Sequence, residues 1–413
     1  MKKFDKDKYL KNLKFKRNLT KYGKYFYIGV PCVLAVVAGI YFAYSKFTVS
    51  KDAEVVKTTV GEFIHGDVVI GAYINGEYSN TIPGKNDGYA VKSVSCDNNA
   101  TGSWDNDSWG IVLTNMTKRT KCNIYFETKK PSLNEAITTA MSNNPSMFAS
   151  DDPGKNVRYI GANPNNYVYF NCSDYSNPTA NTCELWRIIG VFNNVTKRDG
   201  TKENLVKIIR DESIGNIAWD DNNVNDWSTA TLQQNLNSGT YYTTTLKNDT
   251  TRNAIEEVVW NLGGTGSYTS ASNGLASHFY GYERGTTVYS GRPTTWTGKI
   301  GLMYPSDYGY ATSGGTAKDR AACLAKELYN WNSSEFSDCK GNDYLLDTNN
   351  VQWTLAPRSS DASYVFRVYD VGRVYYGNSN RTYAVRPVLF LKSNIQVDKG
   401  TGEKSNPYTL KIQ

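Results

Sequence analysis

Residues 183–210, CELWRIIGVFNNVTKRDGTKENLVKIIR, decide the fold. In the run ELWRIIGVF (184–192), an extended backbone puts Leu185, Arg187, Ile189 and Val191 on one face and Trp186, Ile188 and Gly190 on the other. Apolar side chains thus occupy both faces, as expected of a strand at the centre of a sheet. The runs NLVKIIR (204–210) and NYVYF (166–170) read as further strands on either side of it in sequence.

Downstream, the pattern changes to short helices: one over 228–237 that stops at Gly239, and one over 251–260. In the second, Ile255, Val258, Val259 and Leu262 make an apolar face and Gly263-Gly264 ends it. Residues 264–316 are rich in Gly, Ser, Thr and Tyr without periodicity and read as a long irregular region. A helix over 318–329 follows, and the closing strands are VQWTLAP, YVFRVYD, GRVYYG, YAVRPVLFL and YTLKI. Residues 155–413 are therefore expected to form one α+β domain. Upstream, DVVIGAYING, YAVKSVSC, SWGIVLTN and TKCNIYF alternate polar and apolar residues, and Asn75-Gly76 and Asp87-Gly88 suit tight turns. These predict a small antiparallel β-domain over 60–128. Ser132 and Glu135 have capping-box spacing, so 129–154 reads as a helical linker.

The chain has 413 residues and a net charge of +7, yet the first 24 residues alone carry ten Lys or Arg against two acids, a net +8. The remainder is close to neutral, which argues against nucleic-acid binding because a nucleic-acid reader carries its basic patch on the folded domain. Residues 25–45, YFYIGVPCVLAVVAGIYFAYS, contain no charged side chain. A helix of that length spans a bilayer core of roughly 30 Å. The adjacent cations hold its N-terminal side in the cytoplasm and predict that the rest is translocated. The expected order is a basic cytoplasmic tail (1–24), a single transmembrane helix (25–45), a stalk (46–59) and a β-rich extracellular part. A cleaved signal peptide shares the basic start, but its apolar stretch is normally about 7–15 residues.

Seven cysteines agree with export. Cys32 lies inside the apolar span. The other six fall into neighbouring pairs, Cys96 with Cys122, Cys172 with Cys183 and Cys323 with Cys339, and none forms a C-x-x-C motif. Proximity favours this pairing among the roughly fifteen ways of joining them.

The runs CELWRIIGVF, NLVKIIRDESIG, NDW, GKIGLMYPSDYGYAT and YAVRPVLFLKSNI with GTGEKSNPY resemble an uncharacterised extracellular domain of Gram-positive gut bacteria, over residues 155–413. More distantly, the WTLAPRSS strand, a Gly-containing turn and the AVRP strand resemble the C-terminal part of the C-type-lectin-like fold of formylglycine-generating enzymes and bacterial adhesion modules. The resemblance implies a lectin-like α+β architecture for 155–413. It carries over no catalytic residue: the last cysteine is Cys339, so the paired catalytic cysteines of those enzymes have no counterpart near the C-terminus.

Chemistry is sparse. The two histidines, His65 and His278, fall in different expected domains, leaving few candidates for a His-based metal site or dyad. Calcium would suit the oxygens of Asp220, Asp221, Asn223, Asn225 and Asp226. This loop lacks the Gly and Glu that an EF-hand needs at its sixth and twelfth positions, and Asx turns account for the same residues. The irregular region concentrates Tyr280, Tyr282, Tyr304, Tyr308, Tyr310 and Trp296, with Glu283, Arg284 and Asp307 among them. Aromatic rings stack on sugars and carboxylates or amides bond hydroxyls, so these residues are the candidate ligand site. Packing into the core is the competing role. Arg367, Arg373 and Arg381 with Tyr375 and Tyr376 form a second candidate face. The expected function is an anchored surface module that binds a glycan or a protein. The alternatives are a cell-envelope enzyme acting through Asp307, Asp220 or Glu283, and a pilin-like subunit, which lacks the expected cleavage junction.

Overall fold

The computed structural model describes residues 56–58 and 68–412. The expected basic tail and membrane span lie outside the described residues, as does most of the stalk. Among the described residues no helix is long and apolar enough to cross a membrane. The chain divides into two compact units at Lys129/Lys130. Both are dominated by strands.

The first unit contains β1 (Val56–Thr58), β2 (Val68–Ile74), β3 (Glu77–Ser79), β4 (Tyr89–Cys96), β5 (Thr101–Asp105), β6 (Gly110–Thr114) and β7 (Thr120–Thr128). They form sheets ordered β3-β2-β7-β4 and β1-β6-β5. The expectation of an all-antiparallel domain needs correcting: β2 runs parallel to β7 and β1 parallel to β6. Alternation identifies a strand and its buried face, but it carries no information on which strand lies beside it or in which direction. The Asn75-Gly76 turn joins β2 to β3 with positive φ at both residues, 51° and 92°. Cys96 and Cys122 face each other across β4 and β7 and are disulfide-bonded. The core is Ala72, Ile111, Leu113, Cys122, Ile124 and Phe126.

The second unit opens with α1 (Leu133–Asn143), which has the expected capping box between Ser132 and Glu135. This helix is part of the unit and not a free connector, because Leu133 and Ile137 are buried in its core. The principal sheet joins β8 (Phe148–Ala149), β9 (Val157–Tyr159), β10 (Tyr167–Phe170), β11 (Glu184–Thr196), β12 (Lys202–Arg210), β16 (Ile300–Gly301) and β21 (Val388–Leu391). β11 is central, as its two apolar faces require, with β12 on one side and β9 and β10 on the other. Gly190 lets β9 approach, since a Cβ there would stand 2.1 Å from the Val157 carbonyl oxygen. A second sheet is ordered β13 (Asn216–Ala218), β20 (Thr382–Ala384), β17 (Gln352–Pro357), β18 (Tyr364–Val368) and β19 (Val374–Asn378). Two small ribbons pair β14 (Val258–Asn261) with β15 (Thr295–Gly298), and β22 (Gln396–Lys399) with β23 (Thr409–Lys411). Six tryptophans, Trp186, Trp219, Trp227, Trp260, Trp331 and Trp353, are fully buried in this unit.

The helices depart most from expectation. α2 (Thr231–Asn237) is shorter than 228–237, and α3 (Asp249–Ala254) ends before the apolar face attributed to it. Val258–Asn261 is strand β14, with Val258 and Trp260 buried and Val259 between them half-buried. Short apolar runs fit both periods, and the β-branched pair Val258-Val259 favours the extended one. The region read as irregular contains α4 (Ala276–Glu283) and α5 (Pro305–Ala311), and the helix expected over 318–329 is only α6 (Arg320–Leu324), with a 3-10 turn at Leu328–Asn330. Disulfides join Cys172 to Cys183 and Cys323 to Cys339, the latter tying α6 to α7 (Ser337–Gly341).

Candidate functional site

Four buried charges in the second unit form one chain. The Asp307 carboxylate caps α5 by accepting the Tyr304 backbone N–H at 2.9 Å, accepts Arg158 Nη1 at 2.9 Å, and pairs with the Lys207 ammonium. Arg158 in turn donates Nε to Asp152 at 2.5 Å. All four side chains are at most 1 % exposed. Burial alone would push the Asp307 pKa up, but Lys207 and Arg158 more than offset it and hold the carboxyl at about 2. Burial pulls Lys207 down to about 8, since the attraction of Asp307 restores only part of the loss.

Beside this chain lies a second charged group on α4. Glu283, buried, accepts the Ser306 N–H at 2.9 Å, the Ser306 hydroxyl, and Arg284 Nη1 at 3.1 Å. Its burial still outweighs these partners and raises its pKa to about 7. Arg284 is held in place by stacking on Tyr280, 3.4 Å from the ring centroid, and by donating to the Tyr280 carbonyl at 3.2 Å.

Between these groups opens a cleft of about 140 Å³. Its floor is aromatic: Phe192, Trp260, Tyr304 and Phe390 surround the Lys207 ammonium at 4.9, 5.8, 4.6 and 5.6 Å. Its mouth is polar, formed by Asn193 and Asn194 on β11, Asn261 on β14, and Tyr280 with Arg284. The side chains of Asn194 and Asn261 make no hydrogen bond to another described residue, whereas Asn193 is spent on the Gly154 and Lys155 carbonyls. An aromatic base under free amides and a partly exposed guanidinium can hold a small hydroxylated group. The volume is below the roughly 300 Å³ at which pockets begin to enclose drug-sized ligands.

Of the nine residues expected at a ligand site, Tyr280, Arg284 and Tyr304 line this cleft, and Glu283 and Asp307 support it from behind. The others lie elsewhere. Tyr282 is near His278 and Phe279 on α4, and Trp296 packs edge-on to Trp227. Tyr308 is buried against Trp331 with its hydroxyl on the Gly372 carbonyl, and Tyr310 is buried beside Arg158. Tyr308 and Tyr310 are thus core residues, and the tyrosines of 280–310 do not together form an open aromatic groove. The α5 helix that carries Tyr308 and Tyr310 is buried along its whole length, so neither ring has a solvent-facing side to turn to.

Lys207, Asn194 and Asn261 are absent from the sequence candidates. A signal for Lys207 is present: in the apolar run LVKII it shares a strand face with Leu205 and Ile209, which favours burial, and a buried ammonium is stabilised by a paired acid.

The oxygens proposed for calcium serve the loop itself. Asp220 accepts the Val224 and Thr231 N–H groups, and Asp226 accepts the Ser228 N–H and hydroxyl. Asn225 donates to the carbonyls of Arg358, Asp361 and Tyr364, and Asn223 takes a positive φ. Asp221 is exposed. Among the described residues no three His, Cys, Asp or Glu side chains converge as a metal site would need. On the second face, Tyr375 and Tyr376 stack at 4.5 Å, Arg367 is buried over Tyr383 and Arg373 lies over Tyr369, while Arg381 is exposed and outside the stack. No family model matches the chain, and no curated protein or solved structure is similar to it beyond chance.

Proposed function

We propose that this is a membrane-anchored bacterial cell-surface protein whose second unit is a C-type-lectin-like module that binds a glycan. The observation that carries the binding reading is the cleft just described: an aromatic floor below two uncommitted amides and a stacked, partly exposed arginine. Its small volume favours the edge of one sugar ring over a protein side. Three disulfides support a destination in an oxidising space. The anchor rests on the apolar run 25–45 and its cationic flank.

The competing reading, a cell-envelope enzyme working through carboxylates, draws on Glu283, whose raised pKa is the kind found in acid–base sites. Against it, Glu283 and Asp307 are both fully buried and neither lines the cleft. A glycan array probed with the full-length chain in detergent micelles separates the two. Retention of a defined sugar that Arg284→Ala and Asn261→Ala both abolish supports binding. An empty array, or turnover of a bound sugar lost in Glu283→Gln, defeats it.

A further inference from the structure

The second unit holds another concavity, of about 520 Å³, that plays no part in the cleft above. Arg187 on β11, Arg386 just before β21, and the exposed Lys404 supply its cations, and Asp211, Glu212 and Asp347 its acids. Both arginines are 5 % exposed. Arg187 lies 3.8 Å from the Tyr167 ring centroid and 4.9 Å from that of Tyr344. It donates Nε to Asn166 Oδ1 at 2.6 Å and Nη1 to the Tyr167 hydroxyl at 2.8 Å, and its Nη2 is shielded from solvent without a hydrogen-bond partner, so Arg187 forms the wall behind the basin. Its contact with Asp211 is a long 3.6 Å. Arg386 donates only to neutral acceptors, the Arg210 and Leu345 carbonyls at 2.8 and 3.2 Å and Gln352 Oε1 at 3.5 Å, and among the described residues it forms no ion pair.

A buried guanidinium with no acid in contact is costly to retain, since the charges of Asp211 and Asp347 reach Arg386 only from a distance, and an anion seated beside it offsets that cost. We infer that this basin binds a hydroxylated sugar acid, its single carboxylate seated on Arg386 and drawn in by the rim cation Lys404, with its hydroxyls toward Asp347, Asn349 and Ser213. The charge count selects the ligand class. Three cations against three acids leave the basin formally neutral, so each further negative charge on a ligand adds repulsion that no cation offsets. A monoanion gains the guanidinium with the least of that repulsion, and the acids accept hydrogen bonds from its hydroxyls.

Titration calorimetry on the full-length chain in detergent micelles, with sodium glucuronate, glucose and inorganic phosphate as probes, tests this. Glucuronate is expected to saturate, with glucose and phosphate each weaker by at least about tenfold. Arg386→Gln should abolish the glucuronate signal, and Lys404→Ala, a surface change that leaves folding intact, should weaken it several-fold. Arg284→Ala, which disables the first cleft, reports which of the two concavities holds the sugar acid. Equal binding of glucose, tighter binding of phosphate, or full glucuronate affinity in Lys404→Ala and Arg386→Gln would overturn the assignment. Loss of glucuronate binding in Arg284→Ala would overturn it too, by placing the sugar acid in the first cleft.

Discussion

Lys207 and Arg386 are both buried cations of the second unit, 1 % and 5 % exposed, yet the fold treats them differently. Lys207 has its counter-charge inside the protein: Asp307 caps α5 and pairs with it, and Arg158 and Asp152 complete a closed set of two cations and two acids. Arg386 bonds carbonyls and an amide with no acid in contact, and it borders a basin open to solvent. The first arrangement is balanced in charge within the protein. The second is complete only when something anionic arrives.

The sharpest way to break this comparison is to remove an acid from the closed set. Asp307→Ala strands Lys207 and Arg158 and should cost about 3–5 kcal/mol in urea denaturation, whereas Lys207→Met with Asp307→Leu should recover most of that. If Asp307→Ala costs under about 1 kcal/mol, the set is not closed.

The next effect is on pH dependence. The folded Glu283 pKa, about 7, lies above its ordinary 4.5, so the folded protein holds the extra proton between these values and stability falls as pH rises through that window. The change is about 3 kcal/mol. Glu283→Gln should remove this fall, read as a flatter melting temperature between pH 5 and pH 7. Asp307 acts oppositely: its folded pKa, about 2, lies below the ordinary 3.8, so the stability it contributes is present above pH 4 and is lost toward pH 2.

Arg386→Gln should be milder than Asp307→Ala, about 1–3 kcal/mol, since it removes hydrogen bonds to carbonyls and strands no acid. A loss as large as that of Asp307→Ala would show that Arg386 belongs to the scaffold and not to a ligand. Smallest of all, Lys404→Ala at the exposed rim should change the melting temperature within error, about 0.5 kcal/mol or less, and be visible only in ligand affinity.

Much of the strand content was legible. Apolar side chains on both faces of ELWRIIGVF required a central strand, and β11 is one. Cysteines close in sequence were sufficient to pair three disulfides. The capping box at Ser132 and Glu135 is local chemistry and formed as read. The helix expected over 251–260 failed for a physical reason: its apolar residues satisfied two periods, and the partner that decided between them, Thr295–Gly298, lies more than thirty residues on. The candidate site was legible only in part. Tyr280, Arg284 and Tyr304 line the candidate cleft and stand in 264–316, where aromatics and charges concentrate, but whether a tyrosine faces a cleft or the core depends on neighbours remote in the chain.

What the sequence alone determined is therefore what short-range rules control: that ELWRIIGVF extends at the centre of a sheet, where one helix is capped, and which cysteines meet. Tertiary structure decided strand direction in the first unit, the pairing of Lys207 with Asp307, and the lack of an acid in contact with Arg386. Burial and charge compensation depend on groups about a hundred residues apart, such as Lys207 and Asp307, and only the folded chain brings them together.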